Sequence, residues 1–456
     1  MEGESKKGHP KGLYLLFFTE LWERFSYYGM RGILILYLTK AWLAGGLAIK
    51  PEDASLIYGF FTGFVYFTPL IGGWLADRYL GQRKAITIGG ITMMFGQFVL
   101  FALNTHAGMY LGLFLLIIGN GFFKPNISTL VGRLYKEGDP RRDSAFSIFY
   151  MGINIGAFFA PLVVGLFSDK LFGVRDAAGQ IITYGYKYGF LVSGIGMLLG
   201  QIIFNSFAQK YLGDIGRYPA TGNNAAKTID LAHEVKPVTG QDRQRMTVIF
   251  ILTAFVIFFW AGFEQAGSSL SLYTDKFIDR SVGGFVIPTS WFQSVNPLFI
   301  VLLAPLFSIF WTSNLGKRMP TPVKMGLGMI LLGVGFFFML GAVAQRGGDV
   351  QDEAVKASLI WLVMTYLLHT IGELCLSPVG LSVVTKLAHP KFASLMMGVW
   401  LLATFVANIV GGFLARFVES MGAHLIFSTI AGFVIVLGLV LIALTKPILK
   451  MMHGVR

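Results

Sequence analysis

The chain has 456 residues, of which 54% are hydrophobic and only 13% charged. A mean hydropathy of +0.65 is more apolar surface than a soluble chain of this length can hide, so a soluble domain is excluded and an integral membrane protein with several spans is expected. The formal net charge of +13 lies mostly between the apolar segments, which is the bias of cytoplasmic loops and not of a nucleic-acid face; no nucleic-acid partner is expected. The single cysteine, Cys375, excludes an intrachain disulfide and a cysteine metal cluster.

Apolar segments fall at about 13–40, 54–76, 85–104, 108–131, 144–168 and 184–207, and then at about 246–273, 288–312, 323–344, 355–385, 392–418 and 424–445. Each is near or above the ~20 residues a spanning helix needs, which predicts twelve transmembrane helices. An even number puts both termini on one side. Lys6, Lys7 and Lys11 precede the first span, and Arg78, Arg83 and Lys84, then Arg133, Lys136, Arg141 and Arg142, fill alternate connections. The same side collects Lys227, Lys236, Lys317, Arg318, Lys391 and Arg456. Both termini are therefore expected in the cytoplasm. The polar N-terminus runs into a long, charge-bearing span and not into a short apolar core with a cleavage site, so no signal peptide is expected.

The first span is anomalous. Thr19 to Arg31 reads TELWERFSYYGMR and places Glu20, Glu23, Arg24 and Arg31 where charge should be absent. At about 100° per residue, Glu20, Arg24, Tyr27 and Arg31 share one face, flanked by Glu23 and Tyr28. An ionised group facing lipid costs on the order of 3 kcal/mol or more, so this face has to line a wet cavity.

Between spans 2 and 3, Asp77, Arg78, Gly81, Arg83 and Lys84 form a D-R-x-x-G-x-R-K loop. Its glycine permits a tight turn and its charges can pair with helix ends. Lys124 lies deep in span 4, in GNGFFKPN, and requires a nearby anion; the following Pro125 should loosen the local helix hydrogen bonding. In span 5, Tyr150 and Asn154 share a face, and Gly152 and Gly156 form a small-xxx-small pair for close helix packing. By itself Asn154 reads equally as interhelical glue and as a ligand.

Residues from about 208 to 245 are polar, with Gly, Pro and Asn, and divide the chain into a first bundle at 1–207 and a second at 246–456. Leu80-Gly81-Gln82-Arg83 recurs as Leu315-Gly316-Lys317-Arg318, a weak internal repeat that supports two six-helix halves with a site between them. The second half buries Glu264, in WAGFEQAGSS, and Glu373, in HTIGELCLSPVG. Glu373 shares a face with His369 and Ser377; His369 reads as hydrogen-bonded to a neighbouring helix more readily than as a proton relay. Asn296, Pro297 and Trp400 are further polar or aromatic candidates. In-span charge is net positive in the first half and negative in the second. That arrangement suits a zwitterion, and it also offers salt bridges between halves that protonation or substrate can release.

E-x-x-E-R-F-x-Y-Y-G-M-R, at Glu20 to Arg31, resembles the first-helix signature of the proton-dependent oligopeptide transporter family. FYMGINIGAFFAP, at Phe149 to Pro161, resembles the second signature, and GFFKPN, the FEQ segment and GELCLSPVGLS match further blocks. The D-R-x-x-G-x-R-K loop is similar to the gating loop of the major facilitator superfamily. The resemblance covers nearly the whole chain. It implies an all-α integral membrane protein of the major facilitator fold, with twelve transmembrane helices in two six-helix bundles. The activity it implies is a symporter that imports di- and tripeptides by alternating access, in the cell (inner) membrane. Such a transporter is not an enzyme and needs no cofactor or metal beyond the proton as coupling ion. A monomer in the lipid bilayer is expected.

The family's roles fall on residues of this chain. The resemblance implies that Arg31 and Lys124 receive the peptide carboxylate and Glu373 its ammonium, with Asn154 and Asn296 hydrogen-bonding the termini or backbone. Tyr27, Tyr28, Tyr66 and Tyr150 would shape the cavity, with Trp400 and Ser377 on the opposite wall. Glu20, Glu23 and Arg24 would couple the proton and Glu264 would be a second protonation site. Arg31–Glu264 and Lys124–Glu373 would be the gating salt bridges. Many bacterial members carry two further helices between the bundles; the linker here has no apolar run long enough, so none is expected. The alternative is a same-family transporter of nitrate or another small organic anion. The intact E-x-x-E-R cluster and Glu373 argue against it, because an anion needs no ammonium receptor.

Overall fold

A spanning segment has no water to hydrogen-bond its backbone, so the apolar segments are driven to satisfy their amides internally as helices. In the computed structural model, which describes residues 8–136, 139, 141–219, 238–389 and 392–454, they do so almost throughout. Lys6, Lys7, Lys227, Lys236, Lys391 and Arg456, and the expectation that the linker holds no further helices, lie outside the described residues.

The first helices are α1 (Lys11–Thr39), α2 (Pro51–Leu75), α3 (Gln82–Ala102), α4 (His106–Arg133), α5 (Arg141–Gly165) and α6 (Tyr186–Leu212). After the linker come α7 (Gly240–Phe263), the short α8 (Ser269–Phe277), α9 (Val295–Thr312), a one-turn α10 (Asn314–Arg318), α11 (Thr321–Gln345), α12 (Leu359–Leu387), α13 (Ala393–Met421), α14 (Ala423–Ala443) and the short α15 (Thr445–Met451). Two small hairpins, Val174–Arg175 with Ile181–Thr183 and Ser281–Val282 with Phe285–Val286, are the strands among the described residues.

Eleven stretches among the described residues are long and apolar enough to cross a membrane. Helix α1, at 29 residues, has the length but carries the four in-span charges. With it, the twelve expected spans are accounted for. The helical ends reach further into the linker than the apolar pattern suggests: α6 runs to Leu212 and α7 starts at Gly240. Thr239 explains the early start. Its Oγ1 accepts from the Asp242 N–H at 3.2 Å, and the Asp242 carboxylate accepts from the Thr239 N–H at 2.9 Å, a reciprocal cap of the helix N-terminus.

The chain divides into two units, residues 1–47 with 67–231, and residues 48–66 with 232–456. In the first, α1 packs on α5 and α6, and α3 packs on α4 and α6. The α1–α5 contact depends on the two glycines read from sequence. A Cβ on Gly152 would lie 2.9 Å from the Phe17 ring, and one on Gly156 would lie 2.5 Å from the Leu21 carbonyl oxygen. In the second unit, α11 packs on α12 and α14, α7 on α13, and α9 on α12. The early part of α2 joins this unit, with Gly59 against Gly412 of α13.

The D-R-x-x-G-x-R-K loop is tightly built. A π-type turn at Ala76–Leu80 ends at Gly81, whose φ of 77° suits glycine. Asp77 accepts from Gln82 Nε2 at 3.0 Å, and Arg83 Nη1 donates to Gln209 Oε1 at 3.1 Å and to the Gly213 carbonyl at 2.6 Å. A loop cation thus meets the C-terminal carbonyls of α6, where the helix dipole favours it.

Candidate functional site

On α1, Glu20, Glu23 and Arg24 are buried. Burying them is tolerable only as a paired group. Arg24 Nε lies 3.3 Å from Glu20 Oε1, and the guanidinium also holds Glu23 in a two-pronged contact, with Nη2 donating to Oε1 at 2.7 Å and Nε to Oε2. Asn120 of α4 adds a long bond, its Nδ2 lying 3.4 Å from Glu23 Oε1. Glu20 Oε2 is buried with no hydrogen-bond partner among the described residues. Further along the same face, the Arg24 guanidinium stands 5.4 Å from the Tyr27 ring centroid. Tyr27 and Tyr28 meet edge to face at 5.3 Å, and Arg31 stands 5.9 Å from the Tyr28 centroid. The cluster and the tyrosine–arginine segment are therefore contiguous.

Lys124 sits half-buried on α4, which continues through Pro125 without a break. Proline cannot donate to the Gly121 carbonyl one turn back. Gly72 of α2 closes on that oxygen instead: a Cβ at Gly72 would lie 2.1 Å from it. Thr68 Oγ1 donates to the Ile117 carbonyl at 2.9 Å. Helix α2 thus braces α4 where it presents Lys124, so the loosening expected at Pro125 is offset by packing. On α5, Asn154 is buried and its Nδ2 donates to the Tyr150 carbonyl at 3.0 Å, within its own helix. Tyr150 is exposed, and Tyr66, on α2, is half-buried.

In the second unit the span expected at 246–273 is discontinuous. Helix α7 stops at Phe263, Glu264–Gly267 forms a 3₁₀ turn, and α8 resumes at Ser269. Glu264 is buried at this break. Gln265 splints it: Nε2 donates to the Ala261 and Gly411 carbonyls, each at 3.0 Å, and Oε1 accepts from Ser269 Oγ at 2.6 Å. Gly262, Gly267, Ser268 and Ser269 around the Glu were the signal for a broken helix.

Asn296, in the first turn of α9, binds two groups of α12. Its Nδ2 lies 2.9 Å from Glu373 Oε2 and 3.0 Å from Thr370 Oγ1. Ser377 is half-buried one turn after Glu373. Trp400 of α13 is buried, its indole flush with Gly380, where a Cβ would come within 2.3 Å of Cζ2. His369 meets its expected hydrogen bond to a neighbouring helix at the backbone of Leu332, on α11. Its Nε2 has no hydrogen-bond partner among the described residues, and the ring lies among the rings of Phe336, at 4.8 Å, and Phe263, at 6.3 Å.

The structure thus brings together Glu20, Glu23, Arg24 and Tyr27; Tyr28 and Arg31; and Asn296 with Glu373. Arg31 and Lys124 belong to the first unit, and Glu264 and Glu373 to the second. Asn120, Thr370 and Gln265 were missed in the sequence, although Asn120 lies one turn before Lys124 and Thr370 one turn before Glu373 on shared faces. Among the described residues no group of His, Cys, Asp and Glu is arranged to hold a metal ion.

The model of the POT family matches residues 83–212 and 220–437. The chain belongs to the POT family. Among relatives, this POT chain is 35% identical to the peptide transporter YePEPT of Yersinia enterocolitica, over 99% of this chain and 97% of that one. It is 34% identical to a di-/tripeptide transporter of Lactococcus lactis subsp. cremoris, over 98% of each. The crystal structure of a peptide transporter POT in complex with sulfate superposes with a TM-score of 0.87 at 36% identity, covering 99% of this chain and 97% of that one. As a POT protein it has the major facilitator fold, is a multi-pass, all-α membrane protein, and is a transporter and not an enzyme.

Proposed function

We propose that this protein imports di- and tripeptides in symport with protons, by alternating access between its two bundles. The names of the relatives support the substrate class. The observation that carries the coupling is the buried group around Arg24: two carboxylates on one guanidinium, with Glu20 Oε2 lacking a partner among the described residues. That oxygen is where we place the coupling proton, with Glu23 and Arg24 adjusting to it and Glu264, at the helix break, as a second acceptor. No cofactor other than the proton is required.

Tyr27, Tyr28 and Arg31 follow the proton group on the same helical face. Arg31 and Lys124 receive the peptide carboxylate, and Glu373, oriented by Asn296 and Thr370, receives the ammonium. Tyr66, Tyr150, Asn154, Ser377 and Trp400 complete the cavity. Arg31–Glu264 and Lys124–Glu373 act as the breakable bridges, and occupancy by peptide and proton favours the inward state by differential binding. We place the protein as a monomer in the bilayer of the cell (inner) membrane, with both termini cytoplasmic, on the distribution of basic residues.

The test is uptake of labelled dialanine into proteoliposomes under an inward proton gradient. Accumulation that collapses when the gradient is dissipated is expected; accumulation indifferent to the gradient sinks the coupling. Robust nitrate uptake without dipeptide uptake would restore the small-anion alternative.

A further inference from the structure

The tetrapeptide repeated between the two halves takes two different forms. In Leu80-Gly81-Gln82-Arg83 the arginine is tied to Gln209 and the Gly213 carbonyl. In Leu315-Gly316-Lys317-Arg318 no such tie forms among the described residues. Lys317 and Arg318 are exposed beside a cavity of about 450 Å³. Lys324, Lys386, Trp311 and Ser382 also line it, and among the described residues no Asp or Glu does. Lys324 Nζ stands 4.6 Å from the Trp311 ring centroid, and the indole Nε1 is buried without an acceptor among the described residues. The wall therefore gathers four cations and, among the described residues, an indole donor without an acceptor.

This cavity is distinct from the peptide site. At about 100° per residue, the lining positions Pro378, Val379, Ser382 and Lys386 lie on the face of α12 opposite Glu373 and Ser377. It opens at the end of the bundle, where Leu315, 60% exposed, stands directly before the two cations and Leu449 adds an apolar flank. Clustered cations beside exposed aliphatic and indole groups match the chemistry of a headgroup boundary, where an anion and acyl chains are presented together. A free phosphate would use only the first of these.

We infer that this cavity binds the phosphate group of an anionic phospholipid, held by Lys317, Arg318, Lys324 and Lys386. To test it, the purified full-length protein in detergent is offered phosphatidylglycerol and phosphatidylcholine with identical acyl chains. Bound lipid is read by native mass spectrometry, and inorganic phosphate is added in a parallel series. Phosphatidylglycerol is retained preferentially. K317Q and R318Q each lower that retention about fivefold, the effect of one basic side chain near an anionic surface, while K317R retains it. Equal retention of the two lipids overturns the site. So does unchanged phosphatidylglycerol retention in either single variant, both of which alter exposed side chains and leave the core intact. Retention of inorganic phosphate with displacement of the lipid overturns the lipid assignment in favour of a soluble anion. Dialanine uptake is measured on the same samples, so that loss of lipid binding and failure of the peptide-transport reading are told apart.

Discussion

Asn296 Nδ2 stands 2.9 Å from Glu373 Oε2 and 3.0 Å from Thr370 Oγ1, so one amide joins the start of α9 to the middle of α12. The carboxylate proposed to receive the peptide ammonium is therefore held by its own unit before any substrate arrives. Preorganisation of this kind lowers the cost of binding.

Replacing Asn296 with Leu removes a hydrogen bond to a carboxylate, an interaction of about 1.5–3 kcal/mol. The expected outcome is a roughly tenfold or greater rise in the KM for dialanine, since 1.4 kcal/mol is a factor of ten. Unchanged KM in proteoliposome uptake would remove Asn296 from the site.

Arg24→Ala leaves Glu20 and Glu23 buried without their shared cation. Breaking a buried pair in this way costs about 3–5 kcal/mol, so the thermal midpoint in detergent falls sharply. Glu23→Gln keeps the shape and one acceptor. It is expected to abolish gradient-driven accumulation while leaving dialanine exchange measurable, and full retention of driven uptake would separate the cluster from coupling.

His369→Leu is expected to retain gradient-driven uptake within about twofold, because the ring sits among Phe336 and Phe263 and its Nε2 lacks a partner among the described residues. Loss of coupling with normal peptide exchange would reinstate a proton relay there.

Gly156→Ala places a methyl group where only 2.5 Å separates it from the Leu21 carbonyl oxygen. Overpacking of this kind costs about 1–3 kcal/mol. The measurement is the thermal midpoint, which falls, accompanied by weaker coupling because α1 is pushed away from α5 at Arg24.

Outside the spans, hydrogen bonds from Arg141 hold the Asp139 carboxyl down at about 2, below its ordinary 3.8. A depressed folded pKa means that the stabilisation is complete above the unfolded value and is lost as pH falls through the folded one. Asp139→Asn therefore lowers the thermal midpoint by a constant amount at neutral pH, and the gap to the parent closes between about pH 4 and pH 2. A gap that persists at the acid end would show that the contribution of Asp139 is not ionic.

Much of this protein is legible in its sequence because a bilayer leaves few choices. Apolar length alone specifies helices, since no other open structure satisfies its amides in hydrocarbon. The charged face of α1, with Glu20, Glu23, Arg24 and Arg31, marks itself by being too costly for lipid. The spacing of Gly152 and Gly156 announces a close helix contact on that face of α5, though not that α1 makes it. What the sequence could not decide depends on partners distant in the chain. That Asn120 reaches Glu23, and that Asn296 binds Glu373 and Thr370, are matters of which faces meet. Helical periodicity gives a residue's face and not its neighbour's. The break after Phe263 is marked by Gly262, Gly267, Ser268 and Ser269 but is invisible to hydropathy, for a related reason. Hydropathy measures whether a segment prefers lipid, whereas the stability of an interrupted helix rests on Gln265 bonding the Gly411 carbonyl of α13, a partner that only the folded chain supplies.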